Sequence, residues 1–207
     1  MLSKLLKVGS NSKLGKSIAS WNIPAVMTCP GRTKECESVC YANKGLFKMQ
    51  RKLHLVNKDH ADADDFVNNI KLELINKKIS AVRIHAAGDF YDEAYLDKWI
   101  EIAKQNPETK FWAYTRSWRV AGMMAKLKQF GNFDNVQLFA SIDGETKTNK
   151  ETPPVWMRVA DIVPSFDERV DYVKCPNQKN KAITCEKCTY CFKPVKGKKM
   201  HVQFQIH

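Results

Sequence analysis

Through the middle of the chain, short runs rich in β-branched and aromatic residues alternate with longer stretches whose apolar positions fall three and four residues apart. Residues 81–85 (AVRIH) read as a strand. A helix over 92–105 follows, with Tyr95, Trp99, Ile102 and Ala103 on one face, Asp92 placed to cap its first turn and Pro107 marking its exit. The strand signature returns at 110–114 (KFWAY), 136–140 (VQLFA) and 158–163 (RVADIV), and a helix is expected over 119–130. Upstream, Phe66, Ile70 and Leu74 mark a helix over 62–77, and the short apolar stretch 22–27 reads as the opening strand. Residues 201–206 (HVQFQI) alternate polar with apolar and read as a closing strand.

Strands alternating with helices build a parallel sheet, the α/β class. Such sheets gather ligands at the carboxyl ends of their strands. The unusual polar residues fall there: Cys29 after the first strand, then His85, Gly88 and Asp89, then Thr115, Arg116 and Ser117, then Ser141 and Asp143, then Pro164 and Ser165. A single site at one end of the sheet is the expectation. The composition changes near 165–171, so residues 1–165 are read as the α/β unit and 166–207 as a basic, cysteine-rich C-terminal region that binds metal.

The 207 residues, 43% of them hydrophobic, suffice for one substantial core, and no apolar run approaches the roughly 20 residues of a membrane helix. The basic N-terminus lacks the apolar segment of a secretory signal, so a cytoplasmic location, with no membrane partner, is expected. The net charge of +12, with lysines dense across 174–193 and at Lys196, Lys198 and Lys199, favours nucleic acid or a nucleotide as partner. Solubility alone also explains such a charge.

All seven cysteines sit in two clusters at opposite ends of the chain: Cys29, Cys36 and Cys40, then Cys175, Cys185, Cys188 and Cys191. In a reducing cytosol clustered cysteines read as metal ligands rather than disulfides. Three thiolates after a buried strand suit a [4Fe–4S] cluster whose fourth iron stays open. A zinc site completed by a histidine such as His54 or His60, or by a distant cysteine, is the alternative. Nearby Arg32, Lys34, Lys44 and Lys48 are expected to lower the thiol pKa values. The second group, CxxCxxC with a remote Cys-Pro, is similar to bacterial ferredoxin ligation, while zinc suits the same four thiolates. A redox-active cluster would need an electron donor.

His85, Asp89 and Asp143 are the candidate catalytic groups. Gly88, Asp89, Ser141 and Arg116 are the candidate cofactor-binding residues. Arg116 and Arg119 beside Tyr114 and Trp118 suggest a stacking, cationic surface for nucleotides. No HExxH pattern, acyl-transfer nucleophile motif or Gly-rich phosphate loop occurs.

Over residues 22–165 the chain resembles the radical S-adenosylmethionine (radical SAM) enzymes. In that family three cysteines follow the first strand of a partial (β/α) barrel, a Gly-Gly-Glu-like motif ends the second strand, and a Ser-Leu-Asp-Gly-like motif often ends the fourth. Here Cys29-x6-Cys36-x3-Cys40, Ala87-Gly88-Asp89 and Ser141-Ile142-Asp143-Gly144 occupy those places, with wider cysteine spacing and Asp in place of Glu. The resemblance implies a radical-SAM-like partial barrel, an open [4Fe–4S] cluster and S-adenosylmethionine held by Gly88, Asp89 and Ser141. Nearly the whole chain is also similar to the phage gene-product-eighty-eight family, through TCP…C…CYA, RIHxxGDFY (83–91), FWAYTRS (111–117) and the terminal CxxCxxC. That similarity implies a phage or mobile-element origin, hence a host-cell cytoplasmic setting.

Overall fold

The computed structural model describes residues 5–9, 11–193 and 201–206. The lysine run at 196–199 lies outside the described residues. Eight strands form one open sheet: β1 (Lys7–Val8), β2 (Ala19–Trp21), β3 (Ala81–Ile84), β4 (Lys110–Thr115), β5 (Val136–Ile142), β6 (Arg158–Val163), β7 (Tyr172–Lys174) and β8 (His201–Gln205). Their order across the sheet is β1-β2-β3-β4-β5-β6-β8-β7. Among the described residues, only the β1–β2 pair is antiparallel. From β2 to β6 the spatial order follows the chain, so each crossover returns to the next strand.

The pleat explains how the two faces divide. Val82, Ile84, Phe111, Ala113, Leu138 and Ala140 point to one face and share its core with Phe66, Ile70, Leu74, Tyr95, Trp99, Leu127 and Phe130. Those partners come from α4 (Phe66–Asn76), α5 (Glu93–Gln105) and α6 (Met123–Gly131). Asp92 caps α5 by accepting the Tyr95 N–H, the role expected of it. The intervening residues Trp112, Tyr114, Phe139 and Ala160 face the other way. There they meet Cys175, Cys185, Tyr190, Cys191 and Phe192, brought in by α8 (Pro176–Lys179) and α9 (Cys185–Cys188).

The C-terminal residues are therefore woven into the sheet. β8 lies between β6 and β7 rather than closing an edge. The fully buried Asp161 on β6 accepts Lys147 at 2.9 Å and Arg169 at 2.8 Å. The Cys185 and Glu186 N–H groups donate to the carbonyls of Lys13 and Leu14, which straps α9 to the N-terminal segment.

Other sequence expectations shift as well. The strand before the cysteine loop is β2, Ala19–Trp21, and 22–28 is loop and turn, because Asn22 spends its side chain on the N–H groups of Ala86 and Ala87. The helix expected over 119–130 starts later, at Met123, because 117–119 forms a 3₁₀ turn and Gly122 takes φ +89°. The remaining helices are α1 (Lys34–Ser38), α2 (Gly45–Met49), α3 (Arg51–Asp62) and α7 (Gly144–Thr148).

Candidate functional site

A cavity of about 210 Å³ opens where β3, β4 and β5 end. Cys29, Cys36 and Cys40 line it, together with His85, Gly88, Asp89, Arg116, Ser141 and Asp143. The expected catalytic and cofactor-binding residues and the three N-terminal cysteines thus reach one cavity, whereas Thr115, Ser117, Pro164 and Ser165 do not line it. The structure also brings in Arg83 and Tyr41, which sequence reasoning missed.

The cysteine loop is built on close backbone contact. A Cβ on Gly31 would lie 2.0 Å from the Arg116 carbonyl oxygen, so only glycine lets the loop settle there. Gly88, at φ +87°, packs against Ile23 and Thr28 just before Cys29. Thr33 caps α1 by accepting the Cys36 N–H at 2.9 Å, and its hydroxyl donates to Asp143. Asp143 in turn caps α7 through Thr146. The N-terminal turns of α1 and α7 also cap one another: the Glu35 N–H donates to the Glu145 carboxylate at 3.0 Å, and the Glu145 N–H donates to Glu35 at 2.7 Å.

Arg116 is buried and sits 3.0 Å from Asp143, with its guanidinium hydrogen-bonded to the Cys36 thiol. Burial pushes the Asp143 carboxyl up, but Arg116, Thr33 and Thr146 outweigh it and hold the group below the usual range. Both Asp89 oxygens accept backbone N–H groups, from Phe90 at 2.8 Å and Arg116 at 2.7 Å. Burial still raises Asp89 to about 6. His85, buried at φ +61°, is depressed to about 3 by burial and by the charge of Arg83, so its ring is neutral.

The thiols behave oppositely to the expectation of lowered pKa. Burial, with the charges of Asp89 and the neighbouring cysteines, pushes Cys29 up to about 12, and burial, with Cys40 and Asp143, raises Cys36. Arg116 reaches Cys36, and of the loop cations Arg32 interacts with Cys29 and Cys36. Neither His54 nor His60 lines the cavity. The expected stacking surface is internal: Trp118 is buried, Arg119 pairs with Glu151, and Tyr114 faces the cysteines.

The second group of thiols surrounds a smaller space that shares Tyr114 and Phe204 with the first cavity. Cys175, Cys185 and Cys191 interact electrostatically, and Cys188 with Cys185. Burial raises Cys191 to about 12, although it hydrogen-bonds the Tyr114 hydroxyl. Lys13 and Arg83 both lie within electrostatic reach of Cys185 and Cys191. Neither has a carboxylate partner among the described residues. These half-buried cations, Lys13 held below its usual pKa by burial, are suited to anionic thiolates, which a bound metal would supply by displacing the thiol protons. That charge balance is where the residues fit a metal.

Among the described residues, no three His, Cys, Asp or Glu side chains close to the geometry of a single bound ion. Zinc would need sulfurs roughly 3.8 Å apart, from a Zn–S distance of about 2.3 Å. A cluster that gives each thiolate its own iron spreads them further.

The sequence profile of the family described as "Gene product 88" matches residues 2–201. Among curated proteins, the Gene 88 protein of Mycobacterium phage L5 is 26% identical over 191 residues, covering 79% of this chain and 77% of its own. The Gene 88 protein of Mycobacterium phage D29 is 24% identical over 191 residues, covering 79% and 78%. No solved structure matches. No helix among the described residues is long and apolar enough to cross a membrane.

Proposed function

The chain belongs to the gene product 88 family, and on that premise we propose that it is an iron–sulfur protein with two thiolate centres, one closed and one open to a small-molecule cavity. Cys175, Cys185, Cys188 and Cys191 would hold the closed centre, a [4Fe–4S] cluster or zinc. Cys29, Cys36 and Cys40 would hold the open [4Fe–4S] cluster. The observation that carries this reading is the placement of Lys13 and Arg83, cations without carboxylate partners, against the thiols of two adjoining cavities.

The chemistry proposed is of the radical SAM type, on a nucleotide or nucleic-acid-related substrate, with S-adenosylmethionine as co-substrate and an external electron donor. The chain-order sheet, packed by α4, α5 and α6 on one face, supports a partial (β/α) barrel of that type. An open cluster supplies one electron and an iron that accepts a small ligand. The chain's own residues set the scene for it. Arg116, held by Asp143, steadies the Cys36 sulfur. Gly88 brings the 86–89 turn against the cysteine loop. Asp89 and Ser141 present polar groups to the cavity, and neutral His85 offers a ring nitrogen.

The test is the visible and EPR spectrum of anaerobically purified protein before and after S-adenosylmethionine. A change that vanishes in Cys36→Ala supports the reading; no change in the wild-type protein removes the radical SAM assignment.

A second reading, nucleic-acid binding without catalysis, has its own observation: Lys44, Lys48, Arg51 and Lys52 are all exposed just beyond Cys40. Salt-sensitive DNA binding with no effect of S-adenosylmethionine would favour it.

A further inference from the structure

Two nitrogen donors in the wall of the 210 Å³ cavity lack partners. The Arg83 Nε is buried without a hydrogen bond. The arginine's head rests over the Tyr114 ring, 5.2 Å from its centroid, and its NH2 lies 3.5 Å from the Tyr41 hydroxyl. Those contacts fix the guanidinium and leave its Nε without an acceptor. The second donor is His85 Nδ1, also buried and unpartnered.

Hydrogen-bond bookkeeping assigns the His85 tautomer. The Trp21 indole N–H donates to the Tyr95 hydroxyl oxygen at 2.8 Å. Among the described residues the Tyr95 proton has no acceptor other than His85 Nε2, 2.7 Å away. With Nε2 accepting, the proton of the neutral ring sits on Nδ1, which is therefore a donor. A buried donor left unpaired is unfavourable, and here there are two.

The carboxylates around the same cavity are already engaged. Asp89 accepts two backbone N–H groups, Asp143 pairs with Arg116, and Glu35 accepts the Glu145 N–H. The rest of the wall includes Ala87, Ala160, Ile162 and Phe204.

We propose that this cavity binds a small molecule by an anionic head, a carboxylate or a phosphate, held by Arg83 and His85, with an apolar body against Ile162 and Phe204. The inference rests on the preceding reading in taking this cavity as the ligand site, but it requires no metal.

Isothermal titration of the full-length, anaerobically purified protein with hexanoate, hexyl phosphate and hexanamide tests it. At least one anion is expected to bind about tenfold or more tighter than the amide, the range of a charge-assisted hydrogen bond. The tighter anion identifies the head group. Arg83→Gln is expected to erase the preference, and Arg83→Lys, which keeps the charge, to retain part of it. Equal affinity of the wild-type protein for all three probes, or for none, overturns the proposal whether or not the variants fold. So does a preference that survives in Arg83→Gln. Iron content and the response to S-adenosylmethionine, read on the same preparation, separate this failure from failure of the cluster assignment.

Discussion

Two glycines and a histidine carry much of the site's geometry. Gly31 has no room for a methyl group, because its nearest neighbour is the backbone of Arg116 rather than a flexible side chain. Gly31→Ala is expected to cost about 3 kcal/mol and to lower the midpoint of thermal unfolding. An unchanged midpoint would mean that the loop does not seat on β4's end. His85 makes a pH prediction. Its folded pKa, about 3, lies below the unfolded 6.5, so the unfolded chain takes up the proton first. Its contribution to stability is complete above pH 6.5 and is lost as the pH falls towards 3. His85→Gln should reduce the fall in urea-unfolding free energy between pH 6.5 and 4 by roughly 3 kcal/mol. A parallel curve would contradict the buried neutral ring. Sequence alone marked His85, Asp89, Arg116 and Asp143, because polar residues after apolar runs stand out. It passed over Arg83, whose signal was an arginine inside a buried strand with no acid near it in sequence.

Among the elements, α1 matters most and is anchored least by packing. None of its residues is buried, so Thr33 and the crossed Glu35–Glu145 caps set its position. Glu35→Ala should cost about 1 kcal/mol and hasten loss of iron from the three-cysteine centre to a chelator, with the four-cysteine centre unaffected. Equal loss from both would show that α1 does not support the first centre specifically. Strands β3 to β6 were legible because β-branched and aromatic residues cluster in them. The helix α3 was not, since it buries only His54, Asn57 and Ala61 and shows no apolar stripe. Crossed caps between helices 110 residues apart leave no local trace at all.

In the molecule as a whole, the C-terminal cysteines occupy the sheet face opposite the helices. The sequence showed them as a separate basic tail. Only the pleat, which turns Arg83, Trp112, Tyr114 and Phe139 to that face, shows what they pack against. Phe192 stacks near Trp112, with ring centroids 5.0 Å apart, and Cys191 bonds Tyr114. Cys188→Ala should therefore lower the unfolding midpoint more than Cys36→Ala, whose loop lies at the rim; the reverse order would contradict this packing. The most direct measurement is the iron, acid-labile sulfide and zinc content of anaerobically purified wild-type protein and Cys36→Ala. Two [4Fe–4S] centres give about eight irons and eight sulfides per chain, falling to about four in the variant. Zinc alone, or no metal with all seven thiols free, would contradict the open iron–sulfur centre.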